Sequence, residues 1–252
     1  MVNFTAIYVM WLREMKRYVR AKSRIVGSLI IPLLFLVFLG VGLNNMIGGV
    51  GGVEYTNFLV PGIIGMSMIF TSMFAGISVL WDRQFGFLKE IMVAPVGRIS
   101  IVLGRIFGSS TTAIIQGILV LLLAIIMGFI SIGIFQFLLS IVFMLFIAMT
   151  FIGFGLILAS KMRDMQGFGL IMNIIIFPLF FLSGALFPLE NLPSWLIAIS
   201  YIDPLTYGVD GLRGAMLGIS SLPILTNLII LIGFSVFTVI LGSYLFEKSD
   251  AV

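Results

Sequence analysis

The chain has 252 residues, of which 61% are hydrophobic and 10% are charged, and its mean hydropathy is +1.25. Soluble domains carry about 25% charged residues, so this composition indicates an integral membrane protein. The chain has no cysteine and no histidine, which excludes disulfides, thiolate metal sites and the commonest general base. The net charge of +4 reflects Lys and Arg residues whose distribution indicates the membrane topology. The chain contains no basic patch that would indicate a nucleic-acid partner.

Residues 3–24, NFTAIYVMWLREMKRYVRAKSR, precede the first apolar stretch and are amphipathic. Met10, Trp11 and Tyr18 can share one side of a helix, and basic residues occupy the other. This pattern is typical of a helix that lies in the membrane interface with its basic groups near lipid phosphates. The alternative is a solvated basic tail that only fixes orientation. The basic residues assigned to the interfacial helix are Arg13, Lys16, Arg17 and Arg20.

Six stretches are apolar over about 20 residues, the length that a membrane span needs. We therefore predict an all-α integral membrane protein, a single transmembrane domain over residues 1–252 with six transmembrane helices. The predicted spans are residues 25–43, 58–80, 99–129, 135–160, 168–187 and 222–246.

The basic residues predict the orientation of these spans. Of the 14 Lys and Arg residues, all except Arg213 precede the first span, follow the sixth, or lie in the second-to-third and fourth-to-fifth connections. Because cytoplasmic loops are enriched in Lys and Arg, we predict a multi-pass protein of the cell membrane with both termini cytoplasmic. Residues 188–221 then form short helices that lie on the outer side or dip into the outer leaflet. One irregular outer loop is the alternative.

The stretch from Trp81 to Arg105, WDRQFGFLKEIMVAPVGRISIVLGR, is the long polar interruption in the middle of the chain. If it is helical, Phe85 and Leu88 lie on one apolar stripe, and Pro95 ends the helix. Such a segment between two spans can dock onto a partner protein, and a solvated loop is the alternative. The residues assigned to docking are Asp82, Arg83, Gln84, Phe85, Leu88, Lys89 and Glu90.

The chain lacks the motifs of energy conversion and catalysis. It contains no GxxxxGK[ST] nucleotide loop, no HExxH, no GxSxG and no carboxylate pair inside a predicted span. We therefore predict that it is not an enzyme, and that free energy for transport comes from a cytoplasmic partner. Polar residues in the spans, such as Ser109–Thr112, are interpreted as interhelical contacts, and Gly153 and Gly155 as positions of close packing.

Two passages resemble the ABC-2 type transport permeases, which include daunorubicin-resistance-type multidrug and polysaccharide export permeases. Trp81–Arg98 is similar to that family's cytoplasmic loop, with its Lys-Glu pair and its Ala-Pro-Val-Gly-Arg end. The segment LSGALFPLENLPSWLIAISYIDPLTYGVDGLRG, Leu182–Gly214, is similar to its outer segment. Gln84 and Asp203 depart from the family pattern, which commonly has an acidic residue and an asparagine there.

The resemblance implies a homodimer or heterodimer of permease chains joined to two copies of a cytosolic ABC ATPase subunit. That subunit binds ATP and Mg, and this chain binds no cofactor. Residues 82–98 are then the coupling loop, with Asp82–Val93 as the coupling helix, and Leu189–Leu217 form the re-entrant outer helices. The transported substrate moves outward and is a drug, a lipid or a glycan-like molecule.

Aromatic residues in spans two and five are candidates for the substrate pathway. A dimer interface between spans two and five is one interpretation of the aromatic residues there, and ordinary lipid-facing or packing side chains are the other. A secondary carrier or channel for a neutral solute, without an ATPase partner, is the alternative function. The residues assigned to a possible pathway are Phe70, Phe74, Asn173, Phe177 and Phe181.

Overall fold

The computed structural model describes residues 3–47, 49–50, 52–85 and 97–249. Helices form most of this part of the chain. The elements in chain order are α1 (Phe4–Arg20), α2 (Lys22–Phe35), a π-helical turn (Leu36–Val41), α3 (Gly42–Ile47), β1 (Gly49–Val50), β2 (Val53–Glu54), α4 (Tyr55–Phe74), α5 (Ile77–Gln84), α6 (Arg98–Ile126), α7 (Ile134–Lys161), α8 (Met165–Leu182), a 3-10 turn (Leu189–Asn191), α9 (Ser194–Ser200), α10 (Pro204–Leu217) and α11 (Ile224–Ser249).

Six helical stretches are long and apolar enough to cross a membrane, which confirms the predicted fold class. The first joins α2, the π-helical turn and the start of α3, and the second joins α4 and α5. The other four belong to α6, α7, α8 and α11. Their bounds are Lys22–Asn44, Tyr55–Gln84, Ile99–Ile126, Ile134–Lys161, Met165–Leu182 and Ile224–Phe246.

Three local features differ from the sequence prediction. The second span continues to Gln84, so the first residues of the predicted coupling loop belong to the end of a span. The fifth span ends at Leu182, five residues before its predicted end, because the chain turns at Gly184 with a positive φ of 73°. β1 and β2 form a short antiparallel hairpin that the apolar pattern did not indicate.

The second span crosses α7 at a point where both helices lack side chains. A Cβ on Gly76, between α4 and α5, would lie 2.5 Å from the carbonyl oxygen of Gly155. A Cβ on Gly155 would lie 2.6 Å from the carbonyl oxygen of Met73. Small residues allow this close approach of two backbones in a membrane. The prediction that Gly155 marks close packing is confirmed.

The short helices predicted between spans five and six are α9 and α10. Every residue of α10 from Pro204 to Met216 is buried, because the helix packs against α4, α7 and α11. α10 is therefore part of the bundle, although it is not one of the six spans. It starts with Pro204, which suits the first turn of a helix, and it ends at Gly218 with a φ of 73°.

The bundle has two chemically different ends. We call the end that carries α1, Asp82, Arg105 and the α7–α8 connection the basic end. At the opposite end lie the β-hairpin, the turn after α8, and α9. The exposed faces of the first span, α8 and α11 between these ends are apolar, with Phe38, Ile174 and Phe237 among their exposed side chains. Such faces suit contact with lipid.

Asp203 caps α10 although its carboxyl group is buried. One carboxylate oxygen accepts a hydrogen bond from the Leu205 N–H at 2.8 Å, and the other is buried without a partner. Burial raises the pKa of this carboxyl from 3.8 to about 8, against the smaller opposing effect of the Leu205 N–H. The carboxyl therefore retains its proton in the folded state over a pH range in which it ionises in the unfolded state.

We expect the protein to lose stability as the pH rises from about 4 towards 8, because the folded state binds the extra proton over that window. An Asp203→Asn variant keeps a capping oxygen but does not titrate. Between pH 5 and pH 8 the wild type should lose at least about 1 kcal/mol more of its unfolding free energy than the variant. Unfolding of the two purified proteins in detergent measures the difference, and parallel pH dependences would contradict it.

Candidate functional site

α1 is the element that shapes the basic end. Asn3 caps it by accepting a hydrogen bond from the Ala6 N–H at 3.2 Å, and Arg17 and Arg20 lie in its last turn, where cations are favourable. The helix lies along α6. The Asn3 N–H donates to Ser100 Oγ at 2.8 Å, and Trp11 Nε1 donates to Thr111 Oγ1 at 3.0 Å.

The four basic residues predicted for the interfacial helix divide into two pairs. Lys16 and Arg20 are exposed, as expected for groups that meet water or lipid phosphate. Arg13 and Arg17 are half-buried and form ion pairs with acidic residues. One face of α1 is therefore committed to the protein, and the other is free for the membrane interface.

Two glycines of α6 allow α1 to approach this closely. A Cβ on Gly104 would lie 2.7 Å from the carbonyl oxygen of Ile7, and a Cβ on Gly108 would lie 2.7 Å from Glu14 Cβ. The two glycines are one helical turn apart, so they form one smooth strip on α6. This contact was not predicted from the sequence, although Gly104 and Gly108 have the G-x-x-x-G spacing of close helix packing.

A buried carboxylate joins three elements of the basic end. Asp82, at the end of α5, accepts hydrogen bonds from Arg13 Nη2 on α1 and from Arg105 Nη2 on α6, both at 2.6 Å. Asp82 is 3% exposed and Arg105 is 2% exposed. Charge-assisted hydrogen bonds of this length are the strong kind in proteins. We call Arg13, Asp82 and Arg105 the ion triad.

The ion triad is part of a larger buried set of charges. Glu14, also buried, lies 3.5 Å from Arg17 through Oε2, and its Oε1 has no hydrogen-bond partner. Arg105 Nε and Nη1 likewise have no partner. Within the described residues, the positive charge of Arg105 is thus balanced mainly by Asp82. Breaking such a pair leaves an uncompensated charge in a dry site.

The residues after Asp82 point away from the bundle. Gln84 and Phe85 are exposed, and the Phe85 ring is stacked on Trp81 with 5.1 Å between the ring centroids. Phe85 is 58% exposed although it is a large apolar side chain. Arg83 instead reaches the α7–α8 connection, where its Nη1 donates to the Met162 carbonyl oxygen at 3.3 Å.

The structure therefore places the predicted coupling residues in three groups. Asp82 is buried in the ion triad, Arg83 contacts the α7–α8 connection, and Gln84 and Phe85 are exposed. Leu88, Lys89 and Glu90 lie outside the described residues, as does most of the predicted helix Asp82–Val93. A cavity of about 770 Å³ lies beside this segment, lined by Arg13, Arg17, Arg24, Trp81 and Phe85 among others.

Three of the five residues predicted for a pathway, Phe70, Phe74 and Phe177, form an aromatic group between α4 and α8. Phe70 is stacked on Phe74 with 6.4 Å between centroids, and it meets Phe177 edge-on at 5.7 Å. Phe177 and Phe181 are largely exposed on α8. Asn173 is also exposed on α8, and it makes no hydrogen bond within the described part of the chain.

Comparison with known proteins decides the family. The model of the ABC-2 type transporter family matches residues 5–217, which is most of the chain. This chain belongs to the ABC-2 type transporter family. The resemblance seen in Trp81–Arg98 and Leu182–Gly214 is confirmed by this match, which extends from α1 to the end of α10.

The ABC-2 relatives include proteins from bacteria and from an alga. The inner membrane transport permease YadH of Escherichia coli strain K12 is 28% identical over 236 residues, covering 92% of this chain and 91% of the relative. Nodulation protein J of Rhizobium leguminosarum bv. trifolii is 31% identical over 217 residues, covering 84% and 78%. The putative transport permease ycf38 of Cyanophora paradoxa is 29% identical over 218 residues, covering 84% and 75%.

These matches make the chain the multi-pass membrane component of a transporter. ABC-2 permeases are not themselves enzymes. In the ranges that the structure describes, no cluster of three or more acidic residues could hold a metal ion. The ion triad is a structural contact that joins α1, α5 and α6.

An Asp82→Asn variant should lose about 3 kcal/mol of unfolding free energy, because the buried Arg105 guanidinium would lose the carboxylate that pairs with it. The double variant Asp82→Asn with Arg105→Gln should regain part of this loss, since Arg13 can reach water. Arg20→Gln, on the exposed face of α1, is the matched control and should change stability little. Denaturant unfolding in detergent measures all three, and equal stability of Asp82→Asn and wild type would contradict the assignment.

Proposed function

We propose that this chain is the transmembrane subunit of an ATP-driven exporter and that the segment starting at Asp82 receives force from a separate cytosolic ABC ATPase. In this proposal the basic end is cytoplasmic, and both termini lie on that side. Two permease chains, identical or different, would assemble with two ATPase subunits, which bind ATP and Mg. The substrate would be a drug, a lipid or a glycan-like molecule.

The observation that carries this proposal is the contrast between Asp82 and Phe85. Asp82 is clamped to α1 and α6, whereas Phe85, three residues later, is an exposed aromatic side chain at the same end. A large exposed apolar group beside a rigid anchor is the arrangement that a docking contact requires. Force applied to the segment beyond Phe85 would reach α5, α1 and α6 together through the ion triad.

The contact from Arg83 extends this mechanical link. Its bond to the Met162 carbonyl oxygen connects the same segment to the turn between α7 and α8. A partner that moves this segment would thus act on the fourth and fifth spans as well as the second and third. Coupling requires that the segment make different contacts in the two states of the ATPase. We propose that Phe85 and Leu88 pack into a groove of the ATPase and that Lys89 and Glu90 pair at its rim.

The exposed face of α8 supports the proposed second permease chain. Asn173 lies in the middle of this apolar helix, and an amide facing hydrocarbon without a partner costs free energy. Phe177 and Phe181 are exposed on the same helix. A second copy packed on this face would cover the amide, and a substrate pathway between the two copies would pass the aromatic group of Phe70, Phe74 and Phe177.

A secondary carrier or channel remains the alternative function. It would move a neutral solute without an ATPase, and the exposed Phe85 would then have no partner to contact. Transport by reconstituted vesicles in the presence and absence of ATP separates the two. Copurification of an ABC ATPase with the chain supports the exporter.

A Phe85→Asp variant should insert normally but should reduce ATP hydrolysis by the reconstituted complex at least tenfold, because a carboxylate would have to enter an apolar groove. The matched control is Phe135→Asp, which changes a still more exposed aromatic residue, 76% against 58%, at the opposite end of the bundle. Hydrolysis and complex formation are measured together. Unchanged hydrolysis in the Phe85→Asp complex would exclude this coupling contact.

A single cysteine at position 173 should cross-link two copies of the chain in the membrane, because Asn173 would face its counterpart near the dimer interface. The natural chain has no cysteine, so each cross-link reports one position. Phe237→Cys, on the exposed face of α11, is the matched control and should give monomers. Gel mobility after oxidation reads the result, and equal cross-linking at both positions would argue against this interface.

A further inference from the structure

A cavity of about 690 Å³ lies at the opposite end of the bundle, far from the coupling segment. The β-hairpin, the start of α4, the turn after α8 and the linker between α10 and α11 form its walls. Its lining includes Tyr55, Phe58, Arg213, Ser220 and Ser221. The volume is within the range of small-molecule sites in proteins.

Arg213 on α10 supplies the cavity with a buried cation. It is 6% exposed, and its guanidinium carbon lies 3.7 Å from the centroid of the Phe58 ring. Its Nη2 donates to the Gly184 carbonyl oxygen at 3.0 Å, and its Nε has no hydrogen-bond partner among the described residues. A guanidinium carries five N–H donors and stays charged. Among the described residues, only one hydrogen bond from Arg213, the one from Nη2, is formed, so most of its donors are unused. Phe58 and Gly184 orient the group without neutralising it.

Among the described residues, no carboxylate forms an ion pair with this arginine, although the nearby charge of Asp210 favours its charged form. Asp210, one turn earlier on α10, accepts hydrogen bonds from the Ser221 N–H at 2.8 Å, the Leu222 N–H at 3.0 Å and Asn227 Nδ2 at 2.7 Å. These bonds hold its charge against the α10–α11 linker. Glu190 lines the cavity from an exposed position and forms no ion pair among the described residues.

We propose that this cavity binds an anionic group, a phosphate or a carboxylate, through the unused donors of Arg213. The walls beyond Arg213 are largely apolar, from Tyr55, Phe58, Phe187 and Leu189, and the volume exceeds what a bare phosphate would fill. The volume favours an anion that is carried by a larger amphiphilic molecule, as in a phospholipid head group. A free ion that enters from solution would use the same donors of Arg213 and is the other source. Both sources present the same anionic group to Arg213, and the experiment below distinguishes them.

This binding does not depend on the coupling mechanism. It needs only the folded permease, so failure of the ATPase proposal would leave it intact. The proposed orientation contributes one detail, which is that the head group would come from the outer leaflet. A purely structural Arg213, holding the Gly184 turn through Nη2, would affect stability but would not make the cavity sensitive to anions.

The test uses the protein's lack of cysteine. Ser221→Cys places one thiol in the cavity wall while it keeps the backbone N–H that Asp210 accepts. The rate of maleimide labelling in a neutral detergent then reports occupancy of this cavity and not of the arginine-rich basic end. Dioctanoyl phosphatidylglycerol is the probe, dioctanoylglycerol is the matched lipid without phosphate, and inorganic phosphate tests the free ion.

We expect dioctanoyl phosphatidylglycerol to slow labelling at least fivefold and dioctanoylglycerol to leave the rate unchanged. Adding Arg213→Gln should abolish the protection, and so should Ser220→Asp, which places a carboxylate in the wall formed by the α10–α11 linker and keeps Arg213. Lys161→Gln removes one exposed charge at the basic end and should retain full protection.

The outcomes separate the sources and decide the proposal. Protection by inorganic phosphate equal to that by the lipid supports a free-anion site, and protection by the lipid alone supports a head-group site. Absence of protection by every probe overturns the proposal. Protection that persists in both cavity variants overturns it as well, and Ser220→Asp gives this answer even if Arg213→Gln does not fold.

Discussion

The Asp82 carboxylate, shared between Arg13 and Arg105, is the interaction on which the basic end depends. It ties α5 and α6 to α1, which lies far away in the chain, and it does so in a buried place where ions must be paired. Without it, α1 would be held to α6 by the glycine strip and by single hydrogen bonds at Ser100 and Thr111. With it, the end of α5 cannot move independently of α1 and α6.

The opposite end uses a buried arginine differently. Arg105 is paired with a carboxylate, whereas Arg213 rests on an aromatic ring and one carbonyl oxygen. A cation–π contact and a neutral acceptor orient a guanidinium but form no ion pair with it. Intramembrane charges are expensive and are retained where they serve a purpose. Arg105 is therefore paired within the fold, whereas Arg213 keeps unused donors that can bind a ligand.

The number and order of the spans could be predicted from sequence because a bilayer demands long apolar helices, and that demand is local in the chain. The ends of the spans were less predictable, since Leu182 is followed by more apolar residues and only the turn at Gly184 stops the helix. The partner of Asp82 could not be predicted. Its polarity suggested an exposed docking residue, but Arg13 lies 69 positions away, and only tertiary packing brings the two together.

The same limit applies to the family match. It extends over α1, the coupling segment and α10, so the pattern of short polar motifs was informative about ancestry. It carried no information about the glycine strip at Gly104 and Gly108, because apolar and small residues are common everywhere in such a chain. Burial of Glu14 beside that strip likewise depends on how α1 lies on α6.

The shortness of the fifth span has a consequence for the surrounding membrane. Its 18 helical residues rise about 27 Å, less than the roughly 30 Å of an average hydrocarbon core. Arg163 and Asp164 lie just before it, and the chain turns back just after it, so neither end can extend the helix. Lipids beside α8 would have to thin to match it, which costs elastic energy along that one side. If two copies met at this face, they would share one region of thinned bilayer, and the elastic energy of a second region would be avoided. The bilayer would therefore favour their association.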